Sequence, residues 1–220
     1  MRLSRRTERV LAAISLATII ALISGCSEDD HWHAYDVSGK SAPLQFTLTR
    51  AGDGKTVTAA DYRGKVVLLY FGYTFCPDAC PTTLLDYSRM LSKLGTAAQQ
   101  VRVLFVTVDP QRDTPPILSA YVKNFAPQVE GLRGTPDQLV ALTRRYRAVY
   151  SVTPATPGHP YDVTHSSATY VFDKAGNARL LISPLLTSTP KEIAGVTADL
   201  KRLIAAKSRS NFLTRWLRMP

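Results

Sequence analysis

Apolar and polar residues alternate along this chain with two periods, and the order in which the periods occur predicts an α/β domain. Val66-Val67-Leu68-Leu69-Tyr70-Phe71 is an unbroken β-branched and aromatic run that reads as a central strand. Gly72 ends it, and the segment beyond has helical spacing. Val101 to Val108 is a second strand of the same kind. Leu44 to Thr49 alternates apolar with polar residues as a half-buried strand. Gly52-Asp53-Gly54-Lys55 then turns the chain into a short return strand, Thr56 to Thr58. Thr135-Pro136-Asp137-Gln138 and Thr189-Pro190-Lys191-Glu192 are capping boxes, opening helices that run to about Ala148 and about Ala205. Ser167 to Phe172 and Ala178 to Ile182 are strands joined by a hairpin turn over residues 173–177. Together these elements predict an α/β, thioredoxin-like fold, with a central mixed sheet flanked by helices.

The first 25 residues follow neither period. Arg2, Arg5, Arg6 and Arg9 precede an apolar stretch from Val10 to Ile23, which is short for a membrane span of about 20 residues but suits a signal peptide. Ile23-Ser24-Gly25-Cys26 resembles a bacterial lipobox, which makes Cys26 the expected site of acylation. The expected organisation is a lipoprotein signal peptide over 1–25, a tether over 26–42, the thioredoxin-like domain over 43–206 and a basic tail over 207–220. On this reading the domain is exported and held at a membrane, facing the periplasm or extracytoplasmic space. Ser27 stands where lipoproteins retained in an inner membrane commonly carry aspartate. Residues 1–25 carry four arginines and Glu8, so without them the net charge falls from +10 to +7. No long Lys/Arg run with interleaved aromatic residues is present, so no nucleic-acid partner is expected. The charge suits anionic headgroups or acidic partners better.

With Cys26 set aside, two of the three cysteines remain, Cys76 and Cys80. They lie where the central strand gives way to a helix, in Cys76-Pro77-Asp78-Ala79-Cys80-Pro81. Unpaired N–H groups and the helix dipole favour an anion there, so at least one thiol is expected to ionise more easily than a free cysteine. With Pro77 to Cys80 helical, residues four apart share a face, and both sulfurs can meet one ion or each other.

The chain resembles the Sco/SenC family of copper-binding, membrane-tethered, thioredoxin-like proteins. The resemblance rests on Tyr62-Arg63-Gly64-Lys65-Val66-Val67, on Phe71-Gly72-Tyr73-Thr74 with the cysteine segment, on Asp109-Pro110-Gln111-Arg112-Asp113-Thr114-Pro115 and on Thr164-His165-Ser166. It implies one copper ion per chain, held by Cys76, Cys80 and His165. It also implies a role in maturing the copper site of cytochrome c oxidase, with the oxidase's copper-site subunit as partner and other copper chaperones or thiol reductants as further partners. Two sulfurs and an imidazole form a soft ligand set suited to copper, and zinc would accept the same set.

Other residues invite weaker readings. His159 lies in a proline-rich loop close enough in sequence to compete with His165, and His31 and His33 fall in the tether. Asp78 reads as a helix-start charge, Asp109 and Asp113 follow a strand end and can face the site, and Asp113-Thr114-Pro115 also opens a helix through Phe125. Ser166-Ser167-Ala168 stands where thioredoxins place a proline, which argues against a general oxidoreductase. Three functions remain: a copper metallochaperone, a thiol-disulfide reductase that keeps the oxidase's copper-site cysteines reduced and, least favoured, a peroxide-reducing enzyme.

Overall fold

A computed structural model describes residues 31–184 and 189–206 of the chain. The signal segment, Cys26 and the basic tail lie outside the described residues, as do residues 26–30 of the tether. Among the described residues, no helix is long and apolar enough to cross a membrane.

The strands are β1 Tyr35–Asp36, β2 Thr47–Arg50, β3 Thr56–Thr58, β4 Val66–Gly72, β5 Val101–Thr107, β6 Val129–Arg133, β7 Tyr150–Thr153, β8 Asp162–His165, β9 Thr169–Phe172 and β10 Ala178–Ile182. The helices are α1 Ala79–Leu94, α2 Pro115–Val122, α3 Pro136–Arg145 and α4 Pro190–Ala205. Eight strands form one mixed sheet in the order β1-β10-β9-β4-β5-β6-β2-β3, while β7 and β8 pair as a separate hairpin. At its centre β4 runs parallel to β5 and antiparallel to β9. Every residue of β4 is buried, as its unbroken apolar run requires.

The alternation of side chains along the central strands divides the core into two layers. Leu68, Tyr70 and Phe105 pack with Leu84, Tyr87, Met90, Leu118, Val196 and Leu200, from α1, α2 and α4. On the opposite face Leu69, Phe71 and Leu104 pack with Leu139, Leu142 and Tyr146, from α3 and its end.

The segment before β1 is latched to α4. Asp199, fully buried, accepts hydrogen bonds from the backbone N–H groups of His33 (2.9 Å) and Ala34 (2.8 Å), and His33 Nδ1 lies 3.1 Å from its other oxygen. A Cβ on Gly195 would collide with the His33 ring, so the helix needs glycine there. The Arg202 guanidinium sits 4.1 Å from the centre of the Trp32 ring. His33 therefore serves to anchor the start of the domain.

Several boundaries differ from the sequence-based expectation. The helix expected from Asp113 through Phe125 spans Pro115–Val122, with Thr114 rather than Asp113 at its N-cap. The helix expected to reach Ala148 ends at Arg145, and Arg147 adopts a positive φ of 50° just beyond it. The strand expected over Leu44 to Thr49 is confined to Thr47–Arg50, and β9 starts at Thr169 rather than Ser167. Strands β1, β6, β7 and β8 have no counterpart in the periodicity.

Candidate metal centre

The site forms where β4 hands the chain to α1. Cys76 lies in the loop before the helix, Asp78 occupies the N-cap position and Cys80 falls in the first turn. Pro77 and Asp78 are thus not helical, and the two sulfurs do not meet by helical stacking. The loop curls back instead, and the backbone N–H of Cys80 donates to Cys76 Sγ at 3.4 Å. The helix N-terminus does face a sulfur, as expected, and that sulfur is Cys76. Cys76 is partly exposed and Cys80 is buried.

The third member arrives from the hairpin. His165 ends β8, and its Nε2 lies 3.2 Å from Cys80 Sγ. Its Nδ1 lies 3.1 Å from the carbonyl oxygen of Ser166. A carbonyl only accepts, so Nδ1 carries the proton and Nε2 presents its lone pair to the sulfur. The two sulfurs and an imidazole nitrogen all lie within 4.8 Å of one another, and they are the one such cluster of three potential ligands among the described residues.

Burial controls the protonation of this group. Loss of solvent pushes the Cys80 thiol up to about 12, outweighing the lowering effect of the Tyr70 hydroxyl, which donates to Cys80 Sγ at 3.5 Å. This reverses for Cys80 the expected easier ionisation, because its sulfur faces the apolar core rather than the helix terminus. Burial also lowers His165, partly opposed by its bond to Ser166. The resting state is therefore a neutral imidazole accepting a hydrogen bond from a neutral Cys80 thiol. This donor set suits a soft thiophilic ion, which would replace the thiol proton between sulfur and nitrogen.

The surrounding residues hold this geometry. The rings of Tyr73 and Tyr70 meet the His165 ring edge to face, with centroids 5.7 and 6.2 Å away. Asp113, buried beneath the loop, accepts from the Thr74 hydroxyl (2.6 Å), the Thr74 N–H (3.0 Å) and the Thr107 hydroxyl (2.5 Å). Asp109 pairs with the Arg112 guanidinium and accepts from the Tyr161 hydroxyl at 2.8 Å, while that guanidinium stacks 4.0 Å from the Tyr161 ring centre. Asp109 and Asp113 therefore support the site without reaching it. Arg112 also donates to the Tyr161 carbonyl, tying the hairpin to the loop after β5. Asp78 is exposed and accepts from the Thr82 hydroxyl at 3.2 Å. His159 bridges to Thr156 within its own exposed loop, outside the cluster.

Gly72 makes room for the sulfur. A Cβ there would lie 2.6 Å from Cys80 Sγ and 2.5 Å from a Phe105 ring carbon. Gly72→Ala should therefore destabilise the fold by about 1–3 kcal/mol through overpacking and displace Cys80 from His165. Urea denaturation and metal titration check this, and a variant with unchanged stability and metal affinity would overturn it.

The family model for SCO1/SenC matches residues 38–204. This chain belongs to the SCO1/SenC family. Among its relatives, protein SenC of Rhodobacter capsulatus is 34% identical over 182 residues, covering 79% of this chain and 81% of its own. A mitochondrial SCO2 homologue of Bos taurus is 40% identical over 125 residues, and the match spans 56% of this chain but only 47% of the bovine one. Among solved structures, copper-bound ScoI of Bradyrhizobium japonicum is 37% identical, with a TM-score of 0.65, covering 74% of this chain and 99% of its own. The SCO1/SenC match spans both cysteines and His165.

Sequence reasoning singled out the three clustered residues and missed their supports. Tyr70 read only as a strand residue, and Tyr73 and Arg112 only as parts of motifs. The hairpin carrying His165 was hidden because its outer residues are exposed and polar. The one available signal was Pro157-Gly158, a turn between segments 150–153 and 162–165.

Proposed function

We propose that this chain is a copper-binding metallochaperone for the copper site of cytochrome c oxidase, taking one copper ion on Cys76 Sγ, Cys80 Sγ and His165 Nε2. The convergence of these three atoms within 4.8 Å carries the reading. Thiolates suit Cu(I), and the imidazole adds the nitrogen that Cu(II) favours. Membership of the SCO1/SenC family and the copper-bound state of the Bradyrhizobium japonicum relative support copper over zinc. The oxidase's copper-site subunit is the proposed acceptor, with other copper chaperones or thiol reductants upstream. Residues 1–25 are proposed as a lipoprotein signal peptide and residues 26–42 as the tether, the described part of which packs onto the domain through β1 and the Asp199 latch. Cys26 is the acylated residue, which places the domain on the extracytoplasmic side of a membrane.

One observation favours a second reading. Cys76 is partly exposed and Cys80 buried beside it, so an attacking thiol has a resolving partner. In that reading the pair reduces the cysteines of the oxidase copper site. Metal binding needs His165 and disulfide exchange does not, so His165→Ala should weaken Cu(II) binding more than Cu(I) while leaving reductase activity intact. A His165→Ala chain with parental Cu(II) affinity would sink the three-ligand site.

Copper uptake should depend on pH with a definite sign. Cys80 holds its proton to about pH 12 in the folded chain and must give it up to bind. Apparent affinity should therefore rise about tenfold per pH unit through neutrality from this thiol alone. Titration at pH 6, 7 and 8, roughly the neutral range in which histidine also titrates, tests this. An affinity independent of pH would show that Cys80 binds without losing its proton, contrary to the proposal.

A further inference from the structure

Seven of the eight described lysines gather at one end of this fold. The parallel strands β4, β5 and β6 all point their C-terminal ends toward the metal centre. At that end lie Asp78, Asp109, Asp137, Asp162 and Glu192, on loops, strand starts and the first turns of helices. Of the described lysines only Lys191, in the first turn of α4, shares this end. Lys55, Lys65, Lys93, Lys123 and Lys174 lie at the opposite turns, and Lys40 and Lys201 lie in the same half.

The basic end is tied together by its own contacts. Lys65 Nζ donates to the Gln99 carbonyl, the Gly64 N–H to the Lys174 carbonyl, and Lys174 Nζ to the Ile204 carbonyl in the last turn of α4. Lys174, Arg179 and Ser38 line a hollow there with Leu203 and Ala206. Arg50, Lys55, Arg102 and Arg179 are offset by Asp53, Glu130 and Asp173, whereas Lys93, Lys123 and Lys201 are exposed and enter none of the ion pairs found among the described residues.

The end of α4 lies on this side. The first described residues of the domain are clamped to the second half of α4 through Asp199 and Arg202. The helix itself finishes at Ala205, after which the sequence runs on through Lys207, Arg209, Arg215 and Arg218 without an acidic residue. The start of α4 lies at the metal end, where Pro190 and Ile193 share a cavity with Asp78 and Ala79. A helix of 16 residues is about 24 Å long, so the two ends are separated by roughly that distance.

We infer that the basic end is a docking face for an anionic lipid bilayer, which turns the metal centre away from the membrane. Charge complementarity chooses the bilayer as the occupant. Each exposed lysine near such a surface is worth about a fivefold change in association, and the attraction fades with salt.

Lysine acetylation read by mass spectrometry tests this on the full chain bound to vesicles, comparing phosphatidylethanolamine/phosphatidylglycerol with pure phosphatidylcholine. Labelling of Lys93 and Lys201, relative to Lys191, should fall about fivefold on the anionic vesicles and recover at high salt. Lys93→Glu with Lys201→Glu should restore labelling of Lys65 and Lys174. Equal labelling on both vesicles, or preferential protection of Lys191, would overturn the inference. Protection on phosphatidylcholine that grows with protein concentration would assign the face to a second copy instead. The comparison uses vesicle-bound chain, and acyl mass on Cys26 is read separately, so failure of the lipid anchor and failure of this face are distinguishable.

Discussion

Replacing Cys80 with serine should abolish stoichiometric copper loading while leaving the fold in place. Serine is slightly smaller than cysteine, and its hydroxyl can take over the hydrogen bonds that the thiol makes to His165 Nε2 and Tyr70. The soft ligand is lost, however, and no other cysteine among the described residues can replace it. Even the outer partners of metal ligands are typically worth 10–100-fold in affinity, so loss of a thiolate should exceed about 100-fold. Cys76→Ser should behave alike. Copper titration of the reduced chains, with a thermal melt as control, decides the matter. A Cys80→Ser chain that still loads one copper with near-parental affinity would remove this sulfur from the ligand set. Alkylation of the copper-loaded parent gives an independent check, since a fully formed Cys76–Cys80 disulfide and bound copper should never occupy the same molecule.

Asp113→Ala should be the most damaging change away from the sulfurs, costing about 3 kcal/mol or more of stability. The carboxylate is fully buried and gathers the Thr74 N–H and two hydroxyls, and removal strands these donors beneath the loop that carries Cys76. Each stranded buried donor typically costs about 1–3 kcal/mol. Asp113→Asn keeps the shape and should lose less. Burial raises the Asp113 carboxyl above its usual value, so the folded chain holds this proton more tightly than the unfolded one. The contribution of Asp113 to stability is therefore greatest below pH 3.8 and declines as pH climbs to the raised value. Urea midpoints of the parent and Asp113→Asn between pH 3 and 6, spanning roughly the carboxyl range, should show this slope in the parent only. Parallel curves, or an Asp113→Ala chain as stable as the parent, would refute the role.

The elements legible in the sequence were those whose burial imposes a simple period. β4 is apolar at nearly every position because it is covered on both sides, and the helix opened by Thr189 declared itself through Pro190 at its first turn. The missed strand β6 contains Glu130 and Gly131, which serve Arg102, Tyr62 and the close approach of Leu118, and these needs break the alternation. Cys76 and Cys80 were legible because thiols are few and their spacing local. The position of His165 against them depends on a hairpin 85 residues from Cys80, which local pattern cannot encode. The direction of the Cys80 shift was misread for a related reason. The dipole of a helix start is visible in sequence, but which sulfur faces it and which faces Phe105 is decided by the packing around Gly72.

The hairpin β7–β8 stands apart from the main sheet, and of its strand residues only Val163 is buried. Segments with so few buried contacts open at a small fraction of the free energy of global unfolding. Of the three proposed ligands, Cys76 and Cys80 thus sit at the head of α1, while His165 sits on a hairpin whose hold on the domain is limited to Val163, the Tyr70 and Tyr73 rings and the Arg112 contacts. Under the proposed function, release of the ion is expected to follow local opening of this hairpin rather than global unfolding. Under the same reading, a recipient that levers against this hairpin shortens the residence time of the ion without displacing both sulfurs at once.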